Sequence, residues 1–258
     1  MRGLRQLFLM IALIPVCLMA QEETADFTSD LFGSVTTVDI LPKGRLQWET
    51  YVAYEHSSMY GLKSDTWTVN YSVLRYGISN AVELCMQGSW LYSTIDHEHE
   101  SGFSNLAVGF KTRLFEGWKA APAISLRGWL FVPGGKNADF LPEHFGCQWD
   151  LIFYNRLASW CDVSYTGTMI WDDNSRPTTF WGANFNFLLS DRLTFSVEQS
   201  NYYYGDDAED RWQPWTSVCL SYQVHPRVEL GVTSDMSLKY PKRFWDLALG
   251  VAWQLTKK

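Results

Sequence analysis

The sequence predicts an all-β fold: a closed, antiparallel, up-and-down transmembrane β-barrel of about 12 strands, with both chain ends on the periplasmic side. Three observations predict it. Segments of about ten residues alternate apolar and polar side chains through the whole chain. Aromatic residues are abundant, with 13 Trp, 13 Tyr and 15 Phe. Beyond residue 20 no apolar run is long enough for a membrane helix, which needs roughly 20 residues.

Residues 1–20 read as a secretory signal peptide. Met1-Arg2-Gly3-Leu4-Arg5 is basic, Leu7 to Met19 is apolar, and Ala20 precedes the abruptly polar Gln21-Glu22-Glu23. Removing this segment takes away Arg2 and Arg5 and leaves 19 basic against 28 acidic residues. So acidic a chain is a poor partner for nucleic acid, whose binding depends on Lys and Arg neutralising phosphates. Cys85, Cys147, Cys161 and Cys219 are widely spaced, with no CxxC or metal-site pattern. An oxidising compartment would permit disulfides among them.

Residues 21–43 form a polar N-terminal lead-in, and residues 44–258 form the barrel. Pro42-Lys43-Gly44 turns into the first strand, where Leu46, Trp48, Thr50, Val52 and Tyr54 alternate with Gln47, Glu49, Tyr51, Ala53 and Glu55. In 65–74, Trp67, Val69, Tyr71 and Val73 share a face opposite Thr66, Thr68, Asn70 and Ser72. Strand 82–92 sets Leu84, Met86 and Trp90 against Glu83, Cys85 and Gln87. Strand 105–114 sets Val108 and Phe110 against Asn105, Ala107 and Lys111. The pattern continues in 123–132, weakly in 148–154, then in 162–171, 181–187, 193–198, 217–223, 228–233 and 245–255. Short connections, such as Gly77–Asn80 and His225–Arg227, alternate with longer polar ones near His56–Ser64, Thr94–Gly102, Pro133–Gly146, Asp172–Pro177, Tyr203–Gln213 and Ser234–Lys242. Short periplasmic turns and longer outer loops are the barrel habit.

Alternation does not say which face is inside. Trp and Tyr at the strand ends suit a membrane–water interface. The polar face mixes small residues with charges of both signs, which a narrow lumen needs for room and for pairing. The apolar face therefore points to lipid. Backbone groups in lipid must be satisfied internally, so the sheet must close.

The inward charges are the candidates for selectivity: Arg45, Glu49, Glu83, Lys111, Arg113, Arg127, Asp162, Glu198, Glu229 and Asp246. Arg45, Arg113 and Arg127 facing Glu49, Glu83 and Glu198 would set a transverse field across an open pore. In a plugged barrel the same charges would only fill space. His97 and His99, in Asp96-His97-Glu98-His99-Glu100, are weak metal candidates, and a solvated loop accounts for them better. Asp206-Asp207-Ala208-Glu209-Asp210 lacks the EF-hand spacing. His56 beside Ser57-Ser58 is the only nucleophile–base proximity worth weighing, and no G-x-S-x-G occurs. No catalytic residue and no cofactor is expected.

Several short motifs resemble the outer-membrane family named for the meta-pathway of phenol degradation. They are Leu41-Pro42-Lys43-Gly44 leading into Leu46-Gln47-Trp48-Glu49-Thr50, then Leu74-Arg75-Tyr76-Gly77-Ile78 followed by Val82-Glu83-Leu84, then Asn105-Leu106-Ala107-Val108-Gly109-Phe110-Lys111, and Pro133-Gly134-Gly135. The resemblance implies transport of small, hydrophobic or aromatic solutes across the outer membrane. The alternatives are a structural or adhesive barrel with a plugged lumen, and a barrel enzyme acting on outer-membrane lipid. Expected partners are outer-membrane lipids and lipopolysaccharide, the barrel-insertion machinery and a small-molecule solute.

Overall fold

The computed structural model describes residues 27–31, 33–59, 62–96, 98–118, 120–135, 140–172, 176–205 and 211–256. The signal segment, His97 and Asp206–Asp210 lie outside them. Twelve strands follow in order: β1 (Leu46–Met59), β2 (Leu62–Ser79), β3 (Val82–Ile95), β4 (Glu98–Phe115), β5 (Ala123–Phe131), β6 (Gly146–Ala158), β7 (Cys161–Trp171), β8 (Thr178–Ser190), β9 (Leu193–Tyr203), β10 (Trp212–His225), β11 (Val228–Ser237) and β12 (Phe244–Gln254). Each pairs antiparallel with its neighbours in sequence, and β1 closes on β12, with Gln47 opposite Gln254 and Ser57 opposite Phe244. The start of β1 and the end of β12 therefore meet on the rim that carries the short turns. No helix occurs among the described residues.

The apolar face is outside. Met86, Leu249, Val69, Trp67, Leu84 and Val108 are each about half exposed. The polar partners on the same strands are sealed: Gln47, Glu49, Glu83, Lys111, Ser125 and Asp150 all have 0% exposure. A soluble barrel would show the reverse, because burial of apolar area drives its folding.

Three expectations need correction. The lead-in is not simply polar. Phe27, Leu31, Val35, Val38, Ile40 and Leu41 are all buried, and the segment runs inside the barrel. Phe27 and Leu31 pack with Tyr51 and Ala252, while Val38 packs with Ala123, Ile152 and Tyr154. In β2 a bulge falls where the pairing passes from Tyr51–Tyr71 to Ala53–Thr68. One extra residue reverses the alternation. Trp67 and Val69 face out as expected, but Tyr71 stacks on Tyr51 within the lumen, with ring centroids 4.7 Å apart, and Val73 packs inside against Cys85, Ala107 and Trp129. Asn105 keeps its expected side, its Nδ2 donating to Oγ of the buried, inward Ser89 at 3.3 Å. It occupies a second bulge with φ of 53°, a conformation that Asn tolerates. Finally, the described residues of His56–Ser64 and Thr94–Gly102 are mostly not loop but continue the β1–β2 and β3–β4 ladders. Apart from Leu62 and Ile95, their described residues are largely polar, as suits strands that rise above the hydrocarbon. The 18 residues of β2 or β4 extend about 60 Å at roughly 3.3 Å each, far more than a tilted strand needs to cross.

The four described cysteines are free, with Cys85, Cys161 and Cys219 buried.

Candidate functional site

The site is the inner wall and the segment seated against it. Its centre is Arg75, 1% exposed, on the lower half of β2. Arg75 Nε and Nη2 donate to the two carboxylate oxygens of Glu83 at 2.9 and 3.1 Å. Arg75 Nη1 donates to Glu49 Oε1 at 2.8 Å, and Nη2 reaches the carbonyl of Asp39 at 3.3 Å. A planar guanidinium with five donors can serve three partners at once, which an ammonium could not do in this geometry.

The segment completes this network. Lys111 Nζ donates to Asp30 Oδ2 at 2.8 Å, and Asp30 lies 3.5 Å from Arg75. The Asp30 amide donates to Glu49 Oε2 at 3.1 Å, and the Leu41 amide to Glu83 Oε2 at 2.7 Å. Gln47 Nε2 donates to the carbonyl of Thr28 at 2.6 Å. Across the lumen, Glu198 accepts the Ser34 and Val35 amides at 3.2 and 3.0 Å. Ser125 Oγ donates to the Val38 carbonyl at 2.6 Å. Residues 27–41 thus touch the wall on β1, β2, β3, β4, β5 and β9. Burial pushes the Asp30 carboxyl up, but Arg75, Lys111 and Arg127 together outweigh it and hold the group well below the ordinary carboxylate range. At Asp39 burial outweighs the pull of Lys111 and Arg113 and raises the carboxyl.

Two glycines make room for the segment. A Cβ on Gly77 would strike the carbonyl oxygens of Leu41 and Pro42, and one on Gly182 would sit 2.7 Å from Val35 Cγ2. Glycine in a strand commonly marks such close approach.

The predicted inward charges are inward, but their pairing differs from the expected transverse field. Glu49 and Glu83 are paired by Arg75. Arg127 Nε donates to Asp150 Oδ2 at 2.7 Å, and its guanidinium lies 5.8 Å from the Trp129 ring centroid. Arg113 shares the Lys111 face and acts on Asp39 through space. Asp162 accepts from Asn186 Nδ2 at 2.7 Å. Arg45 lies just before β1 and is half-buried, and Glu229 stands opposite Gln223 and Ala252. Asp246 has an acidic neighbour on each side: Glu55 opposite it on β1 and Asp235 opposite it on β11. Lumen cations thus gather on β2, β4 and β5, and carboxylates dominate β9, β11, β12 and β1.

Asp30, Arg75, Asp150, Asp235 and Glu55 are missing from the sequence-derived set. Arg75 was legible: Leu74, Tyr76 and Ile78 extend the outward alternation, which sets Arg75 and Gly77 inward. Asp235 likewise continues the frame of Glu229 and Thr233. Asp30 had no signal, since nothing local shows that a lead-in turns back into the barrel.

His99 Nδ1 lies 3.0 Å from Thr94 Oγ1, and no cluster among the described residues could hold a metal. His56 Nδ1 lies 2.6 Å from Asp65 on the outer surface, and strand alternation puts Ser57 on the opposite, inner face.

A closed ladder, an apolar exterior and a sealed, charged interior define a transmembrane β-barrel. Solved structures share this fold. An outer membrane channel from Pseudomonas putida F1 aligns over 84% of this chain and 98% of its own, with a TM-score of 0.64 and 13% identity. The NanC porin aligns over 81% and 100%, with a TM-score of 0.54 and 12% identity. The translocator domain of the autotransporter NalP from Neisseria meningitidis aligns over 81% and 87%, with a TM-score of 0.52 and 9% identity. At such identities the likeness is one of fold. No protein-family model matches the chain, and no curated protein matches it in sequence.

Proposed function

We propose that this protein is an outer-membrane channel for small solutes, with residues 27–41 as its gate, both chain ends periplasmic and the longer loops outside. One observation carries the proposal. The ladder closes through β1 and β12 without the segment, which is held by side chains of the wall rather than by strand pairing. Its release would open the lumen and leave the barrel intact. Further support comes from β7–β9, where Thr166 Oγ1, Asn184 Oδ1 and Asn201 Nδ2 are buried without a protein partner. Such atoms suit water or a polar solute.

The motifs that resemble the phenol meta-pathway family converge on the gate. Leu41 and Pro42 meet Gly77, Glu49 and Glu83 meet Arg75, and Lys111 meets Asp30. That convergence favours membership and, with it, hydrophobic or aromatic solutes. Inward rings agree: Tyr51 stacks on Tyr71, and Phe180 lies 4.9 Å from Tyr202.

The seating of the segment also favours a second reading, a structural or adhesive barrel that is permanently plugged. Planar-bilayer recordings of the wild type and of a variant lacking residues 27–41 separate the two. Brief, rare conductance steps in the wild type and sustained steps in the deletion variant support the gated channel. A folded deletion variant that stays silent gives the plugged barrel.

A further inference from the structure

The proposal here concerns the outer surface and is independent of the lumen, apart from placing the long-loop rim in the outer leaflet. On that rim β1 has β2 on one side and β12 on the other. Ser58 is opposite Lys63, and the Ser58 amide donates to the carbonyl of Arg243 at 2.8 Å. Lys63, Ser58 and Arg243 thus form one cross-strand row. Alternation from Trp67 and Tyr54 puts the Lys63 and Ser58 side chains on the lipid-facing side, and Arg243 is exposed in the turn that leads into β12. Neighbouring strands lie about 4.8 Å apart, so the two cationic residues flank the Ser58 hydroxyl at about 10 Å between backbones. Both side chains are long enough to converge on one tetrahedral anion there. Arg243 and Lys239 also both sit over the Tyr240 ring, at 5.6 and 5.5 Å from its centroid. Three cations therefore crowd a single sector of a chain whose net charge is −7.

Beneath this row the surface changes in steps. The next row down holds Asp65, His56 and Trp245, and the one after it Trp67, Tyr54 and Leu247. The rings of Tyr54 lie 5.0 Å from Trp67 and 5.5 Å from Trp245. Val69, Val52 and Leu249 follow, all exposed. Cationic, then aromatic, then aliphatic is the order of a lipid's phosphate, interface and acyl chain. Among the described residues, no other sector of this rim sets two cations in one cross-strand row with a serine between them. Glu98 and Glu100 mark the β3–β4 hairpin, while Arg176 and Arg211 belong to the β7–β8 and β9–β10 connections.

We propose that the β12–β1–β2 face binds a phosphorylated glycolipid of the outer leaflet, with Lys63, Arg243 and the Ser58 hydroxyl on its phosphate and Trp245, Trp67 and Tyr54 against its upper acyl chains.

Native mass spectrometry of the folded, detergent-purified chain with bis-phosphorylated lipid A tests this. The wild type should retain one lipid, and Lys63→Gln/Arg243→Gln should weaken retention about tenfold or more. A control, Arg176→Gln/Arg211→Gln, should bind like the wild type, and dephosphorylated lipid A should bind as weakly as the first variant does. Millimolar inorganic phosphate should not displace the lipid. Equal retention by the Lys63/Arg243 variant, equal loss in the control, or displacement by free phosphate overturns the assignment. Heat-modifiable migration of each variant establishes that its barrel is folded, and conductance is not involved in any arm.

Discussion

Lys111, wholly sealed in the wall of β4, reaches Asp30 across the lumen at 2.8 Å. This contact carries charge between wall and segment. Asp30→Asn leaves the ammonium without its carboxylate, while Arg75 keeps Glu49 and Glu83. Removing one partner of a buried pair costs about 3–5 kcal/mol. If even a third of that falls on the seated state alone, the open fraction rises about tenfold. Single-channel recording should show that rise with heat-modifiable folding unchanged. An unaltered open fraction would mean the pair does not latch the segment.

The carboxyls of Asp30 and Asp39 should be shifted in opposite directions from the ordinary value. An ordinary aspartate titrates near about 3.9. Asp30 is held below that, so the stability it contributes is present above the ordinary value and is lost only as pH falls through its lower folded value. Asp39 is raised by burial, so its contribution is complete at low pH and is lost as pH rises through its folded value. Carboxyl carbon NMR of the chain in nanodiscs should show, as the pH is lowered, the Asp39 signal moving before the Asp30 signal. The reverse order would refute the placement of the segment.

Gly182 and Val35 test the seat on the far wall. Val35 is 4% exposed, and a side chain at 182 would collide with it. In a Val35→Cys background, thiol labelling should be slow with Gly182 present and at least tenfold faster with Gly182→Val, since about 1.4 kcal/mol of steric cost suffices for a tenfold shift. Equal labelling rates would place Val35 away from β8.

The barrel was legible and its luminal segment was not, for a physical reason. A strand wall leaves a period of two in the sequence, because each residue's face is set by its neighbours. Val82–Tyr92 and Trp245–Leu255 therefore read correctly. The bulge at Tyr71 broke that rule locally, and no residue type announced it. The segment at 27–41 obeys no period: it is a loop whose apolar residues are buried one at a time by partners on separate strands, as Val35 is by Gly182 and Val38 by Ala123. Its polar half, including Asp30 and Thr37, is what made it read as a solvated lead-in. Charges were identifiable as inward, but their partners depend on which strands stand close and on the segment between them. Arg127 pairs with Asp150 on the adjacent strand, not with a carboxylate across the barrel.

Ion preference follows from where the unmatched carboxylates lie. Arg75, Lys111 and Arg127 are consumed by Glu49, Glu83, Asp30 and Asp150. On the opposite arc Glu55, Asp246 and Asp235 are successive cross-strand neighbours, and Ser217 then links Asp235 to Glu198. Any path opened by the segment runs beside this arc, so it should favour cations, as rings of acidic side chains do. The measurement is the reversal potential under a salt gradient in the Asp30→Asn background, which supplies open channels. Asp235→Asn/Asp246→Asn should move that potential towards zero selectivity, and the effect should shrink at 1 M salt, where charges are screened within about 3 Å. Arg127→Gln should leave Asp150 unpaired and move the potential the other way. A double variant with unchanged reversal potential would show that ions cross the lumen away from β11 and β12.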